Sequence, residues 1–295
     1  MVNQRFQKPA AVIRSRPIAP SDHAAVAELL NKGFGVRRSR DFWRRVLDCL
    51  SQRPSPEGVP KCGYLLESGG RPVGAILLIF STPRTGNDPA AIRANISSWY
   101  VEPEFRGYAS FLAAQALRHK TVTYLNVSPA QNTLTTLVAQ GYTRYSEGMF
   151  VGLPALQRTI VDARIIAADG APGAKFEPFE RDILVDHTAY GCVSFWCVTA
   201  ERAYPFVFRP RFAKGVLPCA QLIYCRDVGD VARFAGLIGR HLLRHRHPIV
   251  VIDSNGPIPG LLGHYFAGWQ PKFFKGPERP RLGDLAYTEA AMFGM

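Results

Sequence analysis

The sequence predicts an α/β (α+β) chain in which a mixed, mostly antiparallel sheet flanked by helices is built twice. Three observations carry this expectation. Period-two and period-3.6 hydrophobic stretches alternate in the order β-α-α-β-β-β-α-β-α-β over residues 11 to about 154. Ser68-Gly69-Gly70 marks a tight turn between two strand-like runs. Part of the same order starts again near residue 176.

The elements can be justified in turn. Residues 11 to 17 (AVIRSRP) alternate as a strand does. Ser21 and Asp22 then offer an N-cap to the amphipathic helix DHAAVAELLNKGFG, which stops at glycine. In RSRDFWRRVLDCLSQ the apolar Phe42, Val46, Leu47 and Leu50 share one helix face with arginines opposite. KCGYLLESGGRPVGAILLIFSTP reads as a β-hairpin, and NISSWYV as the next strand at about 95 to 101. A helix at roughly 108 to 119, a strand VTYLNV, a helix TLTTLVAQG and a strand pair in YTRYSEGMFVGLP complete the first domain, 1–154.

RIIAADGAPGAKFEP is rich in Gly, Ala and Pro and marks a linker, 155–175. The second domain, 176–295, opens with a helix in FERDILVDHTAYG. Strands follow in CVSFWCVTA, YPFVFRPRF and PCAQLIYC, then a helix DVARFAGLIGRHLLRH and a buried strand PIVVIDS. GWQPKFFKG and LAYTEAAMFG read as two closing strands.

Composition narrows the partners. Hydrophobic residues make up 47% and charged residues 20%, the balance of a globular rather than a disordered chain. Thirty-six Lys and Arg against 23 Asp and Glu leave a net charge of +13, which favours an anionic partner. Six cysteines without CxxC spacing read as small buried hydrophobes in a reducing compartment. No apolar segment reaches the roughly 18 residues of a membrane span, so the expected location is the cytoplasm. His241 and His245 stand at i and i+4, but no third ligand accompanies them and no metal is expected.

The stretch YVEPEFRGYASFL, residues 100 to 112, carries the chemistry. Pro103 removes one ladder hydrogen bond and Arg106-Gly107 turns the chain into a helix. The unpaired N–H groups and positive dipole end of that helix suit a pyrophosphate, with Arg106 adding charge-assisted contacts.

This V-x-P-x-x-R-G string, between a strand and a helix, resembles the acyl-CoA-binding motif of the GNAT acyltransferase superfamily. The element order resembles that family too, over about half the chain, as does NVSPAQNTLTTLVAQGYTR with its Gly141-Tyr142. The resemblance implies a GNAT-like fold, present here as a tandem with a degenerate second unit. It implies acetyl-CoA or another acyl-CoA as donor, bound by Val101, Arg106, Gly107, Tyr108, Ala109, Ser110 and Phe111. Asn132 stands near the family's asparagine, whose own position is Ala130. Two residues depart from the pattern. Phe111 replaces a Gly or Ala, and Leu137 stands where many members carry a general-acid tyrosine.

Glu102 and Tyr100 border the motif and are the candidate catalytic groups. In IDSNGPIPG, after the strand of the second unit, Asp253 and Asn255 could face a cleft with His264 beyond, and these are the candidate acceptor residues. Two readings stand. One is an acyltransferase acting on an amine or hydroxyl acceptor. The other is a non-catalytic scaffold that holds an anionic partner such as a nucleic acid or an acidic glycan.

Overall fold

In the computed structural model, which describes residues 12–35, 38–82, 91–213 and 215–294, β1 (Ile13–Pro17) runs antiparallel to β2 (Gly63–Ser68), and β2 turns back into β3 (Arg71–Ser81). The turn residues Gly69 and Gly70 have φ of 57° and 79°, the primed geometry that follows strand twist. Between β1 and β2 the chain forms α1 (His23–Phe34) and α2 (Arg40–Gln52). The Ser39 hydroxyl starts α2 by accepting from the Phe42 N–H at 3.2 Å. This helix buries Trp43 with Val46, Leu47 and Leu50, while Phe42, expected on that face, is half-buried beside Trp43.

These elements share a compact unit, residues 1–80 and 96–120, with the later part of β4 (Ile92–Val101) and with α3 (Ala109–Ala116). Its strand order is β1-β2-β3-β4. Val26, Leu30, Leu47, Tyr64 and Leu66 are among its fully covered side chains.

The second compact unit comprises residues 81–95 and 121–295. It contains β5 (Val122–Asn126), α4 (Leu134–Ala139), β6 (Thr143–Gly152), β7 (Arg164–Ala167), α5 (Pro178–Ala189), β8 (Val193–Val198) and β9 (Ala203–Ala213). After these come β10 (Leu217–Cys225), α6 (Val228–Arg233), α7 (Ala235–Arg244), β11 (Ile249–Ser254), β12 (Gly263–Lys275) and α8 (Glu289–Met292). From the early part of β4 the strands lie in the order β4-β5-β12-β6-β11-β10-β9-β8-β7. Phe195, Phe206, Phe208, Phe234 and Ile238 form the core on one sheet face, and Trp196, Val207, Ile223, Leu285 and Ala291 on the other. Helices therefore cover both faces.

The mixed, mostly antiparallel sheet matches the expected fold class, with β4/β5 and β10/β11 paired in parallel. Strands β7 to β11 form a run of antiparallel pairs closed by a parallel one. The remaining strands are interleaved. β12 enters between β5 and β6, and β6 in turn lies between β12 and β11. Neither compact unit ends at residue 154, because β6 pairs with strands from the end of the chain.

Four local readings need correction. YTRYSEGMFVGLP is one long strand, β6, since both of its edges find partners along its length. The stretch assigned to a linker contains β7, whose four residues pair with β8. DVARFAGLIGRHLLRH forms two helices that meet at Phe234, where φ is −103° and ψ is 15°. LAYTEAAMFG, read as a strand, holds α8, because Glu289 to Met292 are strong helix formers that follow an extended Thr288.

Two helix glycines set the spacing of α7. A Cβ on Gly236 would lie 2.4 Å from the Gln157 carbonyl oxygen, and one on Gly239 would lie 2.1 Å from the Ala155 nitrogen. The backbone of 154–159 can approach α7 only because both side chains are missing.

Candidate active site

The ladder between β4 and β5 consists of four pairs, from Ile92↔Val122 to Asn95↔Leu125. β4 continues for six more residues, to Val101. Within that extension Ser98 has φ of 48°, a left-handed conformation that breaks the regular pleat. Val101 itself is buried against Gly74, where a Cβ would come within 3.0 Å of its methyl group. The strand then passes into a 3-10 turn, Pro103–Tyr108, that runs directly into α3.

This changes where the helical end falls. The N-terminus was expected near Tyr108, but Pro103, with φ preset for a first helical turn, starts the coil five residues earlier. The Phe105 N–H donates to the Glu102 carbonyl at 2.9 Å, and the Ala109 N–H donates to the Arg106 carbonyl. The motif therefore presents an open flank rather than a bare helix end. Arg106, Gly107 and Ser110 are exposed, and Ala109 is half-buried. A Cβ on Gly107 would meet no atom within 4 Å. Tyr108 and Phe111 are 46% and 43% exposed, so neither ring is packed into the protein interior. Arg106 has no ion pair or hydrogen bond among the described residues. Asn132 lies in the short turn Gln131–Thr133, and its side chain is outside the described residues.

Glu102 does not fit the role of a base. Its carboxylate is buried and bonded to Arg71 at 2.8 Å and to Lys32 at 3.2 Å. The Arg71 hydrogen bond, opposed by burial and aided by Lys32, holds the carboxyl below the usual carboxylate range. A carboxylate held in this way is a poor proton acceptor. Tyr100 is half-buried against α1, its ring 6.2 Å from that of Phe34 and tight against Gly33. Leu137 is buried and cannot supply the missing acid.

The acceptor candidates lie in the second unit, and they separate. Asn255 is structural: its Oδ1 accepts from the Glu147 N–H at 2.7 Å and its amide donates to the Tyr145 carbonyl at 3.1 Å. His264 is exposed on β12, edge-on to Phe266 at 4.7 Å. Asp253 is buried and ion-paired with Lys272 at 2.9 Å, and Lys272 is only 1% exposed. Burial pushes the Asp253 carboxyl up, against the pull of Lys272 and Arg211. Lys272 reaches this position because β12 bulges between Ala267 and Lys272, with positive φ at Gly268 and Gln270. Beside the pair is a cavity of about 150 Å³, lined among others by Ser128, Arg211, Gln221, Gln270 and Lys272.

No protein-family model and no curated protein matches this sequence. Solved structures do match. A GCN5-related N-acetyltransferase from Kribbella flavida superposes with a TM-score of 0.54 at 16% identity, over 90% of this chain and 71% of that one. The fold is that of the GCN5-related N-acetyltransferases (GNATs). A protein from Pyrococcus horikoshii matches with a TM-score of 0.52 at 12% identity, over 97% of this chain and 96% of that one. A GCN5-related glucosamine N-acetyltransferase region of a fungal multi-domain β-N-acetylglucosaminidase gives 0.54 at 9% identity, over 90% of this chain and 38% of that one.

Within this GNAT fold, Lys272, Arg211 and Gln221 line the cavity and were not singled out from the sequence. A lysine inside QPKFFKG and an arginine inside YPFVFRPRF break otherwise apolar runs, and that interruption was the available signal. Among the described residues no group of three or more His, Cys, Asp or Glu side chains is arranged to hold a metal, and no helix is long and apolar enough to cross a membrane.

Proposed function

We propose that this chain moves an acyl group, acetyl in the first instance, from acyl-CoA to an amine or hydroxyl acceptor. The observation that carries the reading is β4, which runs on past its last pair with β5, kinks at Ser98 and ends at an exposed turn bearing Arg106 and Gly107. The GNAT fold supports it. Arg106 would pair with a phosphate of the donor, and Gly107 would let that phosphate approach the backbone. The backbone N–H near Val101 would polarise the thioester carbonyl. The acceptor nitrogen or oxygen attacks that carbon, the C–S bond breaks, and the thiolate leaves to take up the proton released by the acceptor. With Glu102 tied up and Leu137 inert, catalysis rests on positioning rather than on a dedicated acid.

We further read the chain as two GNAT-like halves, 1–154 and 176–295. The first would hold the donor, while Asp253 and His264 in the second would serve the acceptor. All six cysteines are free and five are buried, which suits a reducing cytoplasm.

Calorimetric titration with acetyl-CoA and longer acyl-CoAs tests the reading. Saturable binding that Arg106→Glu weakens at least tenfold supports it, and absence of heat with every acyl-CoA at millimolar concentration overturns it. The backbone N–H groups consumed in the Pro103–Tyr108 turn favour one alternative, a scaffold for another anion. That reading prevails if a nucleic acid or acidic glycan binds instead, with a steep salt dependence.

A further inference from the structure

The cavity beside Asp253 is bordered by charges of both signs. Arg211 and Lys272 bring two cations to its wall, Asp253 pairs with Lys272, and the buried Glu289 carboxylate stands behind Ser128. The Arg211 guanidinium spends Nη1 on the Gln221 side-chain oxygen at 2.6 Å. Its Nε and Nη2 have no protein partner among the described residues. Arg211 lines the cavity, and the remaining edge of its planar fork is suited to two oxygens in one plane. Because its side-chain oxygen is occupied by Arg211, Gln221 has only its amide N–H₂ left to offer. Ser128 donates its hydroxyl proton to Glu289, which leaves an acceptor at that side of the cavity.

Backbone geometry adds an independent observation. Gln270 closes one wall from a left-handed conformation, φ 51°, that a non-glycine residue adopts only where the surroundings hold it. The same bulge brings Lys272 round to Asp253. Strain and a buried charge are thus spent on one small space.

We propose that this cavity binds a carboxylate. The Nε and Nη2 edge of Arg211 matches the two oxygens of one carboxylate, and with Asp253 and Glu289 already at the cavity a phosphate dianion would add a second unmatched negative charge. At about 150 Å³ the space compares with cavities that admit a benzene-sized molecule, so it takes a carboxylate carried on a short chain or a single ring. In the acyl-transfer reading, on which this second step rests, the carboxylate belongs to the acceptor. The acceptor is then an amino or hydroxy acid, held by its acid end while its nucleophile is left free.

Ligand-observed NMR on the full chain tests the site without turnover. Propionate and benzoate are compared with propionamide and benzamide as neutral isosteres, and with inorganic phosphate. The carboxylates should bind saturably in the millimolar range and at least tenfold more tightly than the amides. Arg211→Gln should abolish that preference, and Arg211→Lys, which keeps the charge but loses the fork, should retain part of it. If Arg211→Gln fails to fold, as judged by its thermal melt, the Arg211→Lys comparison carries the test. Arg106→Glu should leave carboxylate binding intact, so failure of the donor site and failure of this cavity read out separately. Equal binding of amide and carboxylate, binding of phosphate alone, no binding, or a full preference retained without Arg211 overturns the proposal.

Discussion

Glu102 shows how one residue can sit beside a motif and still serve a different purpose. The sequence places a carboxylate next to a proposed thioester site, and only the fold reveals Arg71 and Lys32 around it. Two charged partners, each about half exposed, make the triad worth on the order of 1 kcal/mol. Glu102→Gln should therefore lower stability by about that amount in urea denaturation while leaving turnover within about twofold. The pH dependence has a definite sign. Because the folded carboxyl ionises below its unfolded value, its contribution is complete above the unfolded value, near 4.5, and is lost as pH falls through the folded one. The gap between wild type and Glu102→Gln should stay constant from neutral pH to about 5.5 and then close. A gap that widens in acid, or a loss of turnover without loss of stability, would return Glu102 to the catalytic list.

At the scale of elements, the first half of the chain was legible because its signals are local. The Gly69-Gly70 turn, the Ser39 cap and the α2 stripe each declare themselves within a few residues. Legibility failed where a neighbour decides. β6 became one strand because both of its edges are filled from more than 90 residues away. Asn255 was misread for the same reason: its partners lie on β6. The close packing of α7 gives this a measurable form. In an isolated helix Gly239→Ala would gain about 1 kcal/mol of propensity. Here the added methyl meets the Ala155 backbone, which cannot rotate away, and overpacking of this kind costs about 1–3 kcal/mol. Thermal melts should show Gly239→Ala destabilised. Gly256→Ala, whose Cβ would meet nothing within 4 Å, should change little.

At the scale of the molecule, the second compact unit is held together by contacts that no local pattern announces. Arg93 forms a two-pronged pair with Asp284 at 3.1 and 3.3 Å, and the Glu289 N–H donates to the Asn95 side-chain oxygen at 2.6 Å. Both join the start of β4 to the last dozen residues of the chain. Together with β12 between β5 and β6, they mean that residues 1–154 lack part of their own sheet. Expressed alone, that segment should be insoluble or give no cooperative melt, and co-expression with 155–295 should restore a soluble complex. A stable, cooperative 1–154 fragment would show that the interleaving is dispensable.

The interleaving also sets an order in time. On the ribosome, the nascent strands up to β6 must wait with raw edges until residues 273–275 have been made, since Phe273 to Lys275 supply the missing neighbour of β5 from roughly 150 residues downstream. A stop codon before residue 273 would therefore leave β5 without its neighbour, and the waiting interval is when this chain depends most on chaperones.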